Sequence, residues 1–438
     1  MMVRETLMTA RQLAWCALIL LGMLPLIGRA ELSISGFGTL GGTISDQDFI
    51  YQRFIDNTGT LKNDTIGGLQ LDADLGTTWG LTLQTKLAPS QQRDTGFDPT
   101  LSWAFLSWRP TNEWLLRLGR LRIPGFLHST NMDVGMSFTF AHLPFEMYSV
   151  SPTFDTAGIS ISKTWLQPGR EWSLDGYLGV SEADWRYYFR DGIPANAPAG
   201  SFFSEVDMDL TTGVVAALNE HGNRWRVGLH RVDFKLGLRP LLNEYSFVTL
   251  LPGTEIGYYQ TLTTPLIPNS PHNVETAIAY ALNLSMELNL PYQLRLTTEY
   301  VQRRIVNITT GLDVNVGYIA LEKRIGKWTP YSYWSGIRSL APRLNFYDVL
   351  NNNQVPTFIP NSAVINATQR SGADLHQSFD QRSIALGAAY QLTPQSKLKF
   401  EWINTRSGRA SSFIDAPLGE ETGHRQFNLF SFSYNAVF

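Results

Sequence analysis

The chain has 438 residues, 17% of them charged, with a formal net charge of −3. That near-balance leaves no electrostatic footprint for nucleic acid. A single cysteine excludes a disulfide framework, and a mean hydropathy of −0.11 excludes a bundle of membrane helices.

The N-terminus reads as an export signal. Arg4 and Arg11 precede an apolar run, Leu13–Ile27, and Gly28-Arg29-Ala30 forms a small-x-small cleavage site before Glu31. The run is shorter than the ~20 residues of a spanning helix. Cys16, the one cysteine, lies within it. Cleavage at residue 30 leaves 32 basic and 37 acidic residues, a formal charge of −5. Further on, Ile256–Val274 is uncharged, but Pro265, Pro268 and Pro271 break it as a helix. Residues 31–438 show no linker or change of texture, and are read as one domain.

From there a period of two dominates. Leu32 and Ile34 alternate with Ser33 and Ser35. Leu69, Leu71, Ala73 and Leu75 share one face, with Gln70, Asp72 and Asp74 on the other. Trp79–Leu87, Leu101–Trp108, Trp114–Arg120, Ile159–Ser162 and Trp172–Leu178 repeat the pattern. Val206–Leu218, Arg224–Phe234, Val274–Leu284 and Tyr292–Gln302 follow, then Val314–Arg324, Trp328–Ser335, Ser383–Leu392 and Lys397–Thr405. The final stretch, Gln426–Phe438, sets Phe430, Phe432, Tyr434, Ala436 and Phe438 against Ser431, Ser433 and Asn435. Each is a strand with one greasy face. An open edge of this kind invites aggregation, whereas a closed barrel in a bilayer pairs every strand.

The count is about sixteen strands, an even number as in bacterial barrels. Short links rich in Gly, Pro and Asn alternate with long ones: Ser45–Asn63, Ala88–Thr100, Ile123–Asp155, Ser181–Glu205, Lys235–Asn273, Leu340–Gln381 and Arg406–Arg425. One link, Asn307–Gly311, is short where the alternation calls for a long one, and Tyr245–Tyr259 holds possible extra strand. Short inner turns and long outer loops are the pattern of outer-membrane barrels. Trp79, Trp103, Trp108, Trp114, Trp172, Trp225, Trp328, Trp334 and Trp402 fall near expected strand ends, where interfacial girdles sit.

Three stretches carry a resemblance: Ser35-Gly36-Phe37-Gly38-Thr39-Leu40-Gly41, Leu116-Arg117-Leu118-Gly119-Arg120, and the strand ending in Phe438. With them the chain resembles the Gram-negative outer-membrane porins. That resemblance implies a sixteen-stranded antiparallel transmembrane β-barrel, usually a homotrimer, embedded in outer-membrane lipid and lipopolysaccharide. It also implies a third outer loop, here Ile123–Asp155, folded into the lumen as a constriction. The sequence lacks the acidic loop-tip motif of the enteric porins, and Met132, Met136, Phe138 and Phe140 make this loop unusually apolar.

Several motifs have blander accounts. Gly36-Phe37-Gly38-Thr39-Leu40-Gly41 matches G-x-G-x-x-G, but Gly42, Thr43 and Ile44 begin no helix to receive a pyrophosphate; glycines for close strand or subunit packing explain it better. Ser160-Ile161-Ser162-Lys163 matches S-x-x-K on a strand, without companion motifs. No H-E-x-x-H or paired-cysteine set suggests a metal.

The expected constriction comprises Arg117, Arg120 and Arg122 facing Asp133 and Glu146. Strict alternation points Arg117 inward and Arg120 outward; a bulge at Gly119 would re-aim Arg120 and Arg122 into the lumen. The bland accounts are arginines snorkelling at a strand end and carboxylates that merely pin the loop. The reading is a passive channel for small hydrophilic solutes and ions, without cofactor or catalysis. One rival is a channel selective for a sugar, phosphate or aromatic acid, with Met147, Tyr148 and the loop phenylalanines as an apolar track. Another is an outer-membrane hydrolase using His128 or Ser129 with Asp133.

Overall fold

A computed structural model describes residues 31–195, 197–237, 241–242, 244–261 and 273–438. The expected export signal, residues 1–30, and part of the connection at 235–273 lie outside them. Sixteen antiparallel strands close into one barrel. In chain order they are β1 (Glu31–Ser45), β2 (Ile66–Asp74), β3 (Trp79–Pro89), β4 (Phe97–Thr111), β5 (Trp114–Arg122), β6 (Asp155–Gln167), β7 (Arg170–Phe189) and β8 (Gly200–Glu220). Then come β9 (Asn223–Leu236), β10 (Ala277–Leu290), β11 (Leu294–Val306), β12 (Val314–Lys323), β13 (Trp328–Ser339), β14 (Phe379–Thr393), β15 (Ser396–Ser411) and β16 (Gln426–Val437). Every expected strand is present. Phe247–Thr249 and Gly257–Tyr259, the stretch that held possible extra strand, form a separate hairpin outside the wall.

The seam closes where the opening motif meets the last residue. Gly36 and Phe438 exchange backbone hydrogen bonds, both 3.0 Å, and β1 continues along β16 to the pair Ser45–Leu429. A Cβ at Gly36 would strike the Phe438 ring, and one at Gly68 the Phe37 ring. The glycines are there so that aromatic rings can lie over the sheet. They sit mid-strand, with no helix following, so the dinucleotide reading has no structural basis.

The apolar face of each strand points out. Leu118, Ile159 and Leu178 are adjacent in register on β5, β6 and β7 and are 61%, 44% and 51% exposed. Phe430, Phe432 and Tyr434 continue that belt on β16. Only a non-aqueous surround makes such a wall stable, and the strand lengths suit it: ~9–11 residues cross a bilayer. β7 and β8, of 20 and 21 residues, run well past that span. No described helix is long and apolar enough to cross a membrane. Trp79, Trp108, Trp114, Trp165, Trp172 and Trp328 all lie outward at the short-turn rim, with Trp79 stacked on Trp108 at 5.7 Å. Trp103 departs from the expected girdle. Its partner in register is Gln84, which is buried and takes its hydrogen-bond partner, Gln70, on the inner face.

After α1 (Phe145–Tyr148) in the 123–155 link, the connection at 340–378 contains two helices, α2 (Ala341–Asn352) and α3 (Ser362–His376), which pack together with Tyr347, Leu350, Ala373 and Ala410 as their core. They sit at the long-loop end. Arginines tie this end together: Arg186 bridges Asp94 and Asp415, while the fully buried Arg190 holds Asp374, Glu421 and Asn351.

Candidate functional site

The link between β5 and β6 turns back inside the barrel. Its neck closes where Ile123 donates its N–H to the Phe154 carbonyl, 2.8 Å. Leu127 N–H then reaches Glu299 on β11 (2.7 Å), whose other carboxylate oxygen accepts from the Tyr148 hydroxyl. Farther along, Lys399 on β15 donates to the Phe140 carbonyl at 2.7 Å and lies over the Phe138 ring. Thr139 bonds Glu322 on β12, and the Ala141 N–H bonds Tyr331 on β13.

An apolar filling accompanies these bonds. Phe126, Phe140, Met147, Tyr148 and Phe154 pack with the inward residues Val301, Val316, Tyr318, Ala320, Tyr333, Ile337, Ala385 and Ile403. Phe140 and Met147 are 1% and 0% exposed; each such burial contributes about 1.5–3 kcal/mol. So the inner face of β11–β15 is covered by the loop, its apolar residues packed against it and its polar ones bonded to it. Met147 and Tyr148 are consumed in this contact and form no track along open lumen. The opposite wall differs: the inward Asp72, Thr82, Phe105, Arg117, Ser160, Ser162 and Asp175 on β2–β7 stay half-exposed. The half-exposed polar lining of the barrel lies along that wall.

The five anticipated residues separate. Arg117 faces inward opposite Ser160 and Ser107, its guanidinium over the Phe105 ring. Arg120 does not. Gly119 has φ +138°, and a Cβ there would meet the backbone of Ala104 and Phe105, yet no residue is inserted and the register runs on. Arg120 therefore stays on the Leu118 face beside Ala157, whose own neighbour Val180 is 52% exposed. It leans along the wall to Asp155, 3.6 Å away, which is snorkelling. Arg122, at the strand end, is buried between Asp133 (2.7 Å) and Asp155 (3.0 Å).

Nor do the carboxylates oppose the arginines across a gap. Asp133 is clamped by Arg122 and by Lys86 at 2.9 Å. Burial works against its charge, but the two cations hold its carboxyl below the usual range. Glu146 lies in the short helix Phe145–Tyr148 and is 1% exposed. It accepts from Ser335 (2.6 Å), from Gln381 (2.8 Å) and from Ser383. These acids fasten the loop, which is the bland account of them.

His142 belongs to no motif in the sequence, yet it is buried at the centre of a clamp. Its Nδ1 bonds Glu401 on β15 at 2.9 Å and its Nε2 bonds Asp64 of the β1–β2 connection. Burial disfavours the imidazolium, yet the Asp64 charge outweighs it and raises the group to about 10. Spacing gave no sign of this clamp, since its members are 78 and 259 residues apart in sequence. The hydrolase set does not assemble: the Ser129 hydroxyl is held on the Ile123 and Phe126 carbonyls, and Asp133 belongs to Lys86 and Arg122. Burial pushes His128 down to about 4. Ser160 and Lys163 lie on β6, with Lys163 paired to Glu113 at the turn. Among the described residues, no group of three His, Cys, Asp or Glu is placed to hold a metal.

Comparison with solved structures finds the same architecture. OprB of Pseudomonas putida is similar over 95% of this chain and 96% of its own, with a TM-score of 0.51 and 9% identity. The outer membrane channel DcaP of Acinetobacter baumannii gives 10% identity, a TM-score of 0.49, and coverage of 93% and 97%. An anion-selective porin from Comamonas acidovorans gives 11% identity, a TM-score of 0.47, and coverage of 94% and 100%. At such identities the likeness to OprB is one of fold. No protein-family model and no curated protein matches the sequence.

Proposed function

We propose that the chain is an outer-membrane channel through which small hydrophilic solutes and ions diffuse passively. The observation that carries this reading is the division of the lumen. The 123–154 loop fills the β11–β15 side with a dry core, and the β2–β7 side keeps a half-exposed polar lining. A barrel built only as an anchor gains nothing from a wet strip lined by Arg117, Asp175 and serines. Polar side chains along such a strip replace part of a solute's hydration and exclude greasy solutes. The apolar outer belt suits Gram-negative outer-membrane lipid and lipopolysaccharide, and a homotrimer is the assembly this reading carries with it. Of the anticipated charges, Arg117 is the one that meets the passing solute, and Arg122, Asp133 and Glu146 shape the constriction by fixing the loop. The test is reconstitution of purified, folded protein in planar bilayers. Ohmic current steps are expected, and their absence under conditions where the barrel is inserted refutes the proposal.

A further inference from the structure

The inward face of β9 and β10 carries a row of buried polar groups without partners, donors except for the Asn283 Oδ1 opposite Gly228. Arg226 is 6% exposed, and one arm of its guanidinium donates to the Pro124 carbonyl of the loop. Its Nη1 is buried with no protein partner, as is Nε of Arg224, two residues away on the same face. Directly opposite Arg226 in register is Ser285, 6% exposed, whose hydroxyl is also unpartnered. His230 completes the row. Tyr177 engages its Nδ1 at 2.7 Å and leaves Nε2 buried and unpartnered. Gly228 lies between, where a Cβ would be 2.6 Å from that Nε2.

The carboxylates nearby are taken. Glu299 accepts from Leu127, Tyr148 and Asn283, and Glu287 is paired with Arg295. Arginine cannot shed its proton to escape burial. Glu287 faces Arg224 in register but is engaged by Arg295, and Arg226 faces Ser285 and no carboxylate, so this buried charge is costly unless an outside anion is admitted. Same-face neighbours on a strand are about 7 Å apart and a cross-strand pair about 5 Å, a spacing that one oxoanion spans. Arginine forks match the paired oxygens of a carboxylate or phosphate.

We propose that Arg224, Arg226, His230 and Ser285 form a binding site for the oxoanion group of a small solute, placed beside the half-exposed polar lining. Its role in transport rests on the channel reading, but its existence does not. Calorimetric titration of the detergent-folded barrel with inorganic phosphate, and separately with acetate, at constant ionic strength tests it. Saturable binding of at least one probe is expected, weakened tenfold or more in Arg226→Gln and about threefold in Ser285→Ala. Lys327→Gln, the same charge loss at an exposed turn, is the control. Phosphate alone binding marks the site as one for phosphoryl solutes, and acetate alone as one for carboxylates. Binding of neither, or equal weakening by Lys327→Gln, overturns it. Should Arg226→Gln fail to fold, Arg226→Lys keeps the charge and loses the fork, and unchanged affinity in that variant and in Ser285→Ala overturns it as well. Binding without bilayer conductance keeps the site and removes the channel. Conductance without binding does the reverse.

Discussion

The His142 clamp makes a quantitative claim about how firmly the inner loop is held. His142→Gln removes the cation between Asp64 and Glu401 and leaves two buried carboxylates facing each other. A rise of the imidazolium from 6.5 to about 10 corresponds to roughly 5 kcal/mol at 1.36 kcal/mol per unit, and breaking a buried ion pair costs about 3–5 kcal/mol. The loop should therefore open some 10²-fold or more often in the variant. The assay is maleimide labelling of Val150→Cys, a position 4% exposed within the loop core, normalised to the exposed Ser137→Cys. Labelling follows the population of the open loop when reclosing is fast. The sign of the pH effect follows from the raised value. The clamp is at full strength below 6.5, weakens as pH climbs, and is lost through about 10. Normalised labelling of the parent protein should thus accelerate between pH 7 and 10, and that of His142→Gln should not. Rates within about threefold of each other at pH 7, or parallel pH curves, refute the reasoning.

Other consequences are as definite. Glu146→Ala leaves Ser335, Gln381 and Ser383 without their acceptor and should destabilise loop docking by about 3 kcal/mol or more; noisier single-channel current is the readout. Arg190→Met strands the buried Asp374 at the long-loop end, while Glu421 keeps Arg370, and should cost about 3–5 kcal/mol there, measured as faster protease cleavage within 340–378 with barrel melting unchanged. Arg117→Gln should shift the reversal potential in a salt gradient toward cation preference. Arg120→Gln, on the outer face, should leave it within a few millivolts, as order-of-magnitude field arguments for screened exterior charge require.

The barrel could be read from the chain because a period of two survives at every crossing, and because one face must meet lipid for that period to be stable. The same period could not tell a wet lumen from a dry one. Val314, Val316 and Ala320 on β12 alternate with Asn315, Gly317, Ile319 and Leu321, a rhythm that does not say which face a loop covers. Arg120 illustrates the opposite failure: an arginine next to a glycine invited a bulge, whereas Asp155 at the strand end provided a partner without one. The clamps around His142, Glu146 and Arg190 join residues up to 259 apart in sequence, where only three-dimensional closure brings them together. Helices α2 and α3, of 12 and 15 residues, lie within a connection read as loop because neither begins with a side-chain cap to mark it.

The most direct test concerns which side of the lumen carries water. Ser160→Cys and Ser162→Cys on the polar wall, and Val316→Cys behind the loop, are exposed in planar bilayers to a small cationic thiol reagent. Stepwise loss of conductance at the two serine positions, with Val316→Cys inert, is the predicted result. A channel that ignores modification at both serines, or that Val316→Cys blocks as readily, contradicts the account.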